Sequence, residues 1–281
     1  MMIEKRSAAT TVALCCGWLA LIGFALLILY PLLQALLISF KSSAEFTRDP
    51  TGFPTQLRLA NYTDAWVKGK MNGLFLNSII VTAGTIFLTI LLASPAGFAL
   101  AKLIPRRSNV FYNYFILGLI VPFQVIMIPL LKILRPIHLI NNLPALITIF
   151  TGMSLAFAII IYTGFYKGLP HEIIEATQLD GCNILQLFTK IIFPLTGSVN
   201  ATVAIVTGIA PWSQFLPPLI FCSDERFRTL PIGILKFSSA YYTDWTIVFA
   251  AVIMQAIPII ILFLLMQKTF IKGITEGSIK G

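Results

Sequence analysis

Of the chain's 281 residues, 57% are hydrophobic and only 11% charged, too few polar side chains to cover a water-soluble fold, so composition points to a membrane protein. Twenty Lys and Arg against eleven Asp and Glu leave a net charge of +9. The basic residues sit at the ends of apolar runs with no patch interleaved with aromatics, which argues against nucleic acid as a partner. Four cysteines without paired spacing (Cys15, Cys16, Cys182, Cys222) and two distant histidines (His138, His171) suggest neither a disulfide framework nor a metal site.

The first apolar run follows Lys5 and Arg6, as a signal peptide would, but residues 7–40 carry no charge. That is well beyond the roughly 7–15 residues of a signal core, and no A-x-A site closes it, so an uncleaved first span is expected. Further uncharged stretches lie at 71–101, 108–131, 137–166, 191–223 and 245–267. Each exceeds the ~20 residues a helix needs to cross a bilayer. Six spanning helices follow, at about 12–38, 74–101, 110–132, 143–165, 197–221 and 246–267, in a single all-α transmembrane domain over 1–281. A barrel is excluded, because the runs lack period-2 alternation and lipid leaves no water for unpaired backbone groups.

The connections 41–70 and 224–244 fall on one side of that arrangement. With the termini inside, inner and outer segments carry equal numbers of Lys and Arg, so charge leaves the orientation open; only the compact Lys102/Arg106/Arg107 loop favours cytoplasmic termini. Prolines at 31, 95, 122, 129, 211, 217, 218 and 258, with Gly152 and Gly208, interrupt the spans and predict kinks. Such kinks are either tolerated, because neighbouring helices re-satisfy freed carbonyls, or they are hinges.

Between the fourth and fifth spans, residues 169–194 are amphipathic. Pro170 suits a first helical turn, and Glu172 and Glu175 favour the positive end of the helix dipole. Gly181 supplies the freedom for a turn. Asn183 followed by Gln186 has capping-box spacing and opens a second helix with Ile184, Leu187, Phe188 and Ile191 along one face, ended by Pro194. On these grounds alone the segment could equally be an interfacial helix lying on headgroups.

The stretch Glu175-Ala176-Thr177-Gln178-Leu179-Asp180-Gly181 followed by Ile191-Ile192-Phe193-Pro194 resembles the E-A-A-x-x-D-G…I-x-L-P signature of binding-protein-dependent ABC importer permeases. Thr177 replaces the second Ala and Phe193 the Leu. Similarity runs over nearly the whole chain and looks most like the carbohydrate branch, the maltose and multiple-sugar type. It includes Asn61-Tyr62, Asn77-Ser78, Ile128-Pro129, Thr229-Leu230-Pro231, Thr243-Asp244-Trp245 and the tail from Gly273 to Gly281. Where relatives show W-N-[DE]-F, this chain has Trp212-Ser213-Gln214-Phe215, losing a carboxylate inside the fifth span.

The resemblance implies an ABC type I importer permease fold with a cytoplasmic coupling-helix pair between the fourth and fifth spans. It implies a multi-pass protein of a bacterial or archaeal plasma membrane, both termini cytoplasmic, forming half of a translocation pathway for sugars, oligosaccharides above all. Expected partners are a second homologous permease, ABC ATPase subunits, an extracytoplasmic solute-binding protein and membrane lipid. The coupling residues by resemblance are Glu172, Glu175, Ala176, Asp180, Gly181 and Pro194. Trp212, Gln214, Tyr241, Tyr242 and Trp245 are candidates for the substrate path; Trp and Tyr also gather at membrane interfaces without any such role.

No G-x-x-x-x-G-K-[ST] occurs, and Gly69-Lys70 is followed by Met71, so the chain is not expected to be an enzyme or to bind a cofactor; ATP and Mg would belong to the partner ATPase. The alternative, an ion-coupled secondary transporter of small polar solutes, would normally need an ionisable residue in a span, and the six stretches hold no Asp or Glu.

Overall fold

The computed structural model describes residues 8–104, 108–179, 181–237 and 243–278. Among them the chain is helical, with no strand. The principal helices are α1 (Ala8–Ser39), α2 (Ser43–Arg48), α3 (Ala60–Lys68), α4 (Met71–Phe98), α5 (Ser108–Ile120), α6 (Phe123–Leu134), α7 (Leu143–Lys167), α8 (Glu172–Leu179), α9 (Ile184–Gln186), α10 (Gly197–Ser213), α11 (Leu216–Phe221), α12 (Leu230–Ile234) and α13 (Trp245–Ser278). Short polar side chains start several of them by accepting the orphan amides of the first turn. Ser42 accepts from the Glu45 amide, Asn142 from Ala145 and Asp244 from Thr246.

Two compact units are distinguished, one from the described residues of Met1–Gly69 and Lys236–Gln255, the other from those of Lys70–Leu235 and Ala256–Gly281. In the first, the end of α1 is tied to α3. The Asn61 amide donates to the carbonyls of Ser39 and Lys41, each at 2.8 Å, and the hydroxyls of Tyr62 and Ser39 meet at 2.7 Å. Lys41 is fully buried, its ammonium donating to the Asp49 carbonyl at 2.7 Å. Ser43 donates to the Asp244 carboxylate at 2.9 Å.

In the second unit α4 runs along α7, and α10 packs on both. Small residues permit the approach, as is usual where lipid offers no hydrophobic drive between helices. A Cβ at Gly97 would sit 2.6 Å from the Tyr162 Cβ, and Ala93, Ser94 and Ala158 are buried. The Asn77 amide donates to the carbonyls of Arg226 and Arg228, and Ser78 accepts from the Leu230 amide at 2.9 Å, anchoring the loop before α12 to the start of α4.

Among the described residues, five helical runs are long and apolar enough to cross a membrane, with a bent pair that makes a sixth if taken as one span. Two expected spans are corrected. The third, expected over 110–132, is α5 and α6 meeting at 98°; Pro122 adopts ψ 136° and cannot continue the helix before it. The fifth, expected over 197–221, belongs to a run that begins at Ile184 and ends at Ser213, where Gln214 turns extended and α11 follows separately.

Pro194 does not end a helix. The run passes from α9 through a π-helix (Leu187–Ile192) and a 3-10 turn (Phe193–Thr196) into α10. A proline ring collides with the carbonyl four residues back. The wider π turn, in which the Phe193 amide donates to Phe188, moves that carbonyl aside, so the chain runs on.

Candidate functional site

The segment leaving α7 is built from local signals. Gly168 caps α7, and the Leu169 carbonyl beyond it accepts from the Lys102 ammonium at 2.7 Å, a cation placed at the negative end of the helix. Pro170 lies just before α8 rather than in its first turn. In α8, Ile174 and Thr177 face inward, each 5% exposed, while Glu172, Glu175, Ala176 and Leu179 are exposed. Those four stand at i, i+3, i+4 and i+7, one continuous helical face. Leu179, 89% exposed, closes it.

Thr177, the departure from the family signature, donates its hydroxyl to the Ile173 carbonyl at 2.6 Å, so burying a polar group in place of an alanine leaves nothing unsatisfied. Gly181 has φ +77°, and the Cys182 amide donates to the Thr177 carbonyl at 3.3 Å, which is the closing bond of a Schellman turn. The glycine is required by its backbone alone, since a Cβ there would meet nothing within 4 Å. Asp180 lies outside the described residues.

Asn183 and Gln186 form the expected capping box, with both reciprocal bonds at 2.9–3.0 Å. Leu187 is buried, and Phe188 and Ile191 pack against the core. Ile184, expected on the same face, is 55% exposed and Leu185 70%, because the first turn of α9 stands beyond the packed edge. The turn thus carries an exposed apolar tip of Leu179, Ile184 and Leu185, bordered by Glu172 and Glu175.

The candidate path residues fall differently. Trp212, at the end of α10, is 6% exposed and meets Phe75 edge-on at 6.1 Å. Gln214 is exposed at the break after α10, and Trp245, 49% exposed, tilts over Phe249 at 6.2 Å. Tyr241 and Tyr242 lie outside the described residues.

Sequence reasoning missed Tyr162 and Tyr166, one turn apart on α7 and both fully buried. The Tyr162 hydroxyl donates to the Asn200 side-chain carbonyl at 2.5 Å, and the Tyr166 hydroxyl meets that of Ser94 at 2.7 Å. The signal was present: an amide in the middle of an apolar run needs a partner in lipid.

Residues 93–276 match the family model described as binding-protein-dependent transport system inner membrane component. Among relatives, the probable ABC transporter permease protein YurM of Bacillus subtilis is 34% identical, over 94% of this chain and 88% of its own length. The arabinooligosaccharides transport system permease protein AraQ of Halalkalibacterium halodurans is 32% identical, covering 94% of this chain and 97% of its own. The multiple sugar-binding transport system permease protein MsmG of Streptococcus mutans is 33% identical, over 91% and 93%. A chain from the crystal structure of a bacterial ABC transporter for import of the acidic polysaccharide alginate shares the fold, with TM-score 0.82 and 23% identity over 94% of this chain and 99% of that one. The match of the family model over most of the chain, joined to relatives at about a third identity along nearly all of it, places this protein among the binding-protein-dependent transport system inner membrane components.

Proposed function

We propose that this chain is the pore-forming permease subunit of an ATP-driven importer of oligosaccharides, a single membrane domain contributing half of the translocation pathway while a partner subunit hydrolyses ATP. The observation that carries the reading is the α8–α9 turn. Its inward residues Ile174, Thr177 and Leu187 are packed into the core, while its outward face offers two carboxylates and three exposed aliphatic side chains. A helix lying on anionic headgroups would favour Lys and Arg on its polar face; carboxylates suit a protein cleft instead. The turn is therefore a coupling element seated in the ATPase, which puts it and both termini on the cytoplasmic side and turns the 41–70 and 224–244 connections toward an extracytoplasmic solute-binding protein. A second homologous permease completes the pathway.

The substrate class follows relatives named for arabinooligosaccharides, diacetylchitobiose, and melibiose, raffinose and stachyose. Gln214 and Trp245 are each exposed, and an aromatic face suits sugar C–H surfaces; Trp212, packed on Phe75, would offer a sugar only its edge. The test is uptake of labelled raffinose, arabinooligosaccharides and diacetylchitobiose by cells lacking this subunit and by cells restored with it. Restored uptake that persists with an ionophore and stops when the ATPase's phosphate-binding lysine is replaced supports the reading. Uptake that collapses with the ionophore at constant ATP would make the chain an ion-coupled transporter.

A further inference from the structure

The coupling turn leaves the bundle by the end of α7 and returns to it through the run that becomes α10, so residues 168–199 form an excursion with two legs. The returning leg is not plain α-helix. It holds the π-helix Leu187–Ile192 and the 3-10 turn Phe193–Thr196 around Pro194, where the regular ladder is interrupted and bending is least resisted. A displacement delivered at the tip would be absorbed there unless the legs were fixed to each other beyond the soft stretch.

The Tyr162 hydroxyl makes that connection. It reaches from α7 to Asn200, four residues past the 3-10 turn, and the same Asn200 oxygen lies 3.1 Å from the Thr196 hydroxyl, whose proton also faces the Phe193 carbonyl at 2.6 Å. One turn further along α7, Tyr166 joins Ser94 of α4. The two tyrosine rings stack at 5.9 Å with 18° between their planes. Phe98 of α4 stands edge-on to Tyr166 at 5.6 Å and touches Phe188 of the π-helix at 5.5 Å. The three helices that pack together are thus pinned to one another at the root of the excursion, by hydroxyls buried where water cannot compete for them.

Resting on the reading given above, we infer that the Tyr162–Asn200 and Tyr166–Ser94 hydrogen bonds are a clasp that makes the coupling turn move α4, α7 and α10 as one body, so that Tyr162 and Tyr166 are positioning residues for energy coupling. Tyr162→Phe keeps the ring and deletes only the hydroxyl; the single Thr196 proton, which lies 2.6 Å from the Phe193 carbonyl and 3.1 Å from the Asn200 oxygen, is then shared between those two acceptors, and retention of the complex checks that the fold survives. The experiment uses the complete complex in proteoliposomes and measures uptake of the panel sugar with the highest uptake, beside ATP hydrolysis and retention of the ATPase.

The expected result is a fall in sugar moved per ATP of roughly fivefold in Tyr162→Phe, the scale of one net hydrogen bond, with hydrolysis continuing and the complex intact. Tyr166→Phe should fall in the same direction. Asn200→Leu should fall at least as far as Tyr162→Phe, because it also removes the Thr196 contact and leaves the Tyr162 hydroxyl without its acceptor, and the double variant should be no worse than Asn200→Leu alone, because the Tyr162–Asn200 contact is lost only once. An unchanged ratio in both Tyr→Phe variants, additive losses in the double variant, or loss of the complex in both Tyr→Phe variants would overturn the inference. Wild-type complex without ATP-dependent uptake would instead overturn the underlying reading.

Discussion

Helices α1 and α7 are both long, uncharged through their cores and apolar enough to span a bilayer, yet in an apolar stretch of 18 residues from each, 6% of that in α1 is buried within this chain against 50% of that in α7. Total hydrophobicity decides that a segment resides in the membrane; it does not decide what the segment touches. Contact comes from shape. On α7 the Tyr162 backbone fits against Gly97 of α4, whereas a Cβ added at Gly17 or Gly23 of α1 would meet nothing within 4 Å. The α8–α9 turn repeats the contrast in small, with Ile174 and Thr177 inward and Glu175 and Leu179 outward.

Substitutions can break that comparison. The largest effect is expected from Gly97→Leu, which drives a side chain into α7; overpacking costs about 1–3 kcal/mol and more where backbone is the obstacle, so the yield of monodisperse detergent-extracted protein should collapse. Gly181→Val should come next. A non-glycine residue held at positive φ costs about 1–3 kcal/mol, enough to reset the turn, and uptake should be lost while the permease still folds. Wild-type uptake in Gly181→Val would refute the role of the turn.

Glu175→Lys reverses a charge on the outward face. It should lower ATPase capture in a pull-down several-fold without moving the melting temperature, whereas an inward substitution such as Ile174→Ala should lower the melting temperature first.

These expectations rest on features that differ in how visible they were beforehand. The Gly181 turn and the Asn183–Gln186 cap could be read from four or five adjacent residues, because turns and caps are local chemistry. Pro194 misled for the opposite reason: whether a proline stops a helix depends on whether the preceding turn can widen, and Leu187 and Ile192 are held in the π form by a core assembled from distant residues. Pro122 marked a kink, but that it would turn the chain by 98° was hidden inside an uncharged stretch, since hydropathy has no direction. Trp212 was a path candidate by residue type, and its edge-on packing against Phe75 is a contact that composition does not encode.

A smaller effect concerns Asp244 at the start of α13. Burial raises its carboxyl, but hydrogen bonds from Thr246 and Ser43 outweigh that and hold it below the usual 3.8. A depressed folded-state value adds stability above the ordinary one, and that stability is lost as pH falls through the lower folded value. Asp244→Ala should therefore cost about 1 kcal/mol as a lost helix cap at neutral pH and progressively less below pH 3.8, followed by thermal melts across that range. The smallest effect belongs to Gly23→Leu on α1, expected within about 0.5 kcal/mol of wild type in the isolated chain. A large loss of assembled complex in that variant would reveal that a partner, and not lipid, covers this helix.

The 98° break between α5 and α6 carries a consequence for solvent. Thirteen and twelve residues make helices of about 20 and 18 Å at 1.5 Å per residue, each too short to cross a hydrocarbon layer of roughly 30 Å. The last carbonyls of α5 and the first amides of α6 are short of intrahelical partners, although the Val125 amide reaches the Pro122 carbonyl at 3.1 Å, and Val121 at the corner is about half exposed. Acyl chains offer such groups nothing to bond. Although its side chains are oily, this corner has to border water, headgroups or another polypeptide, a polar notch in an otherwise greasy wall.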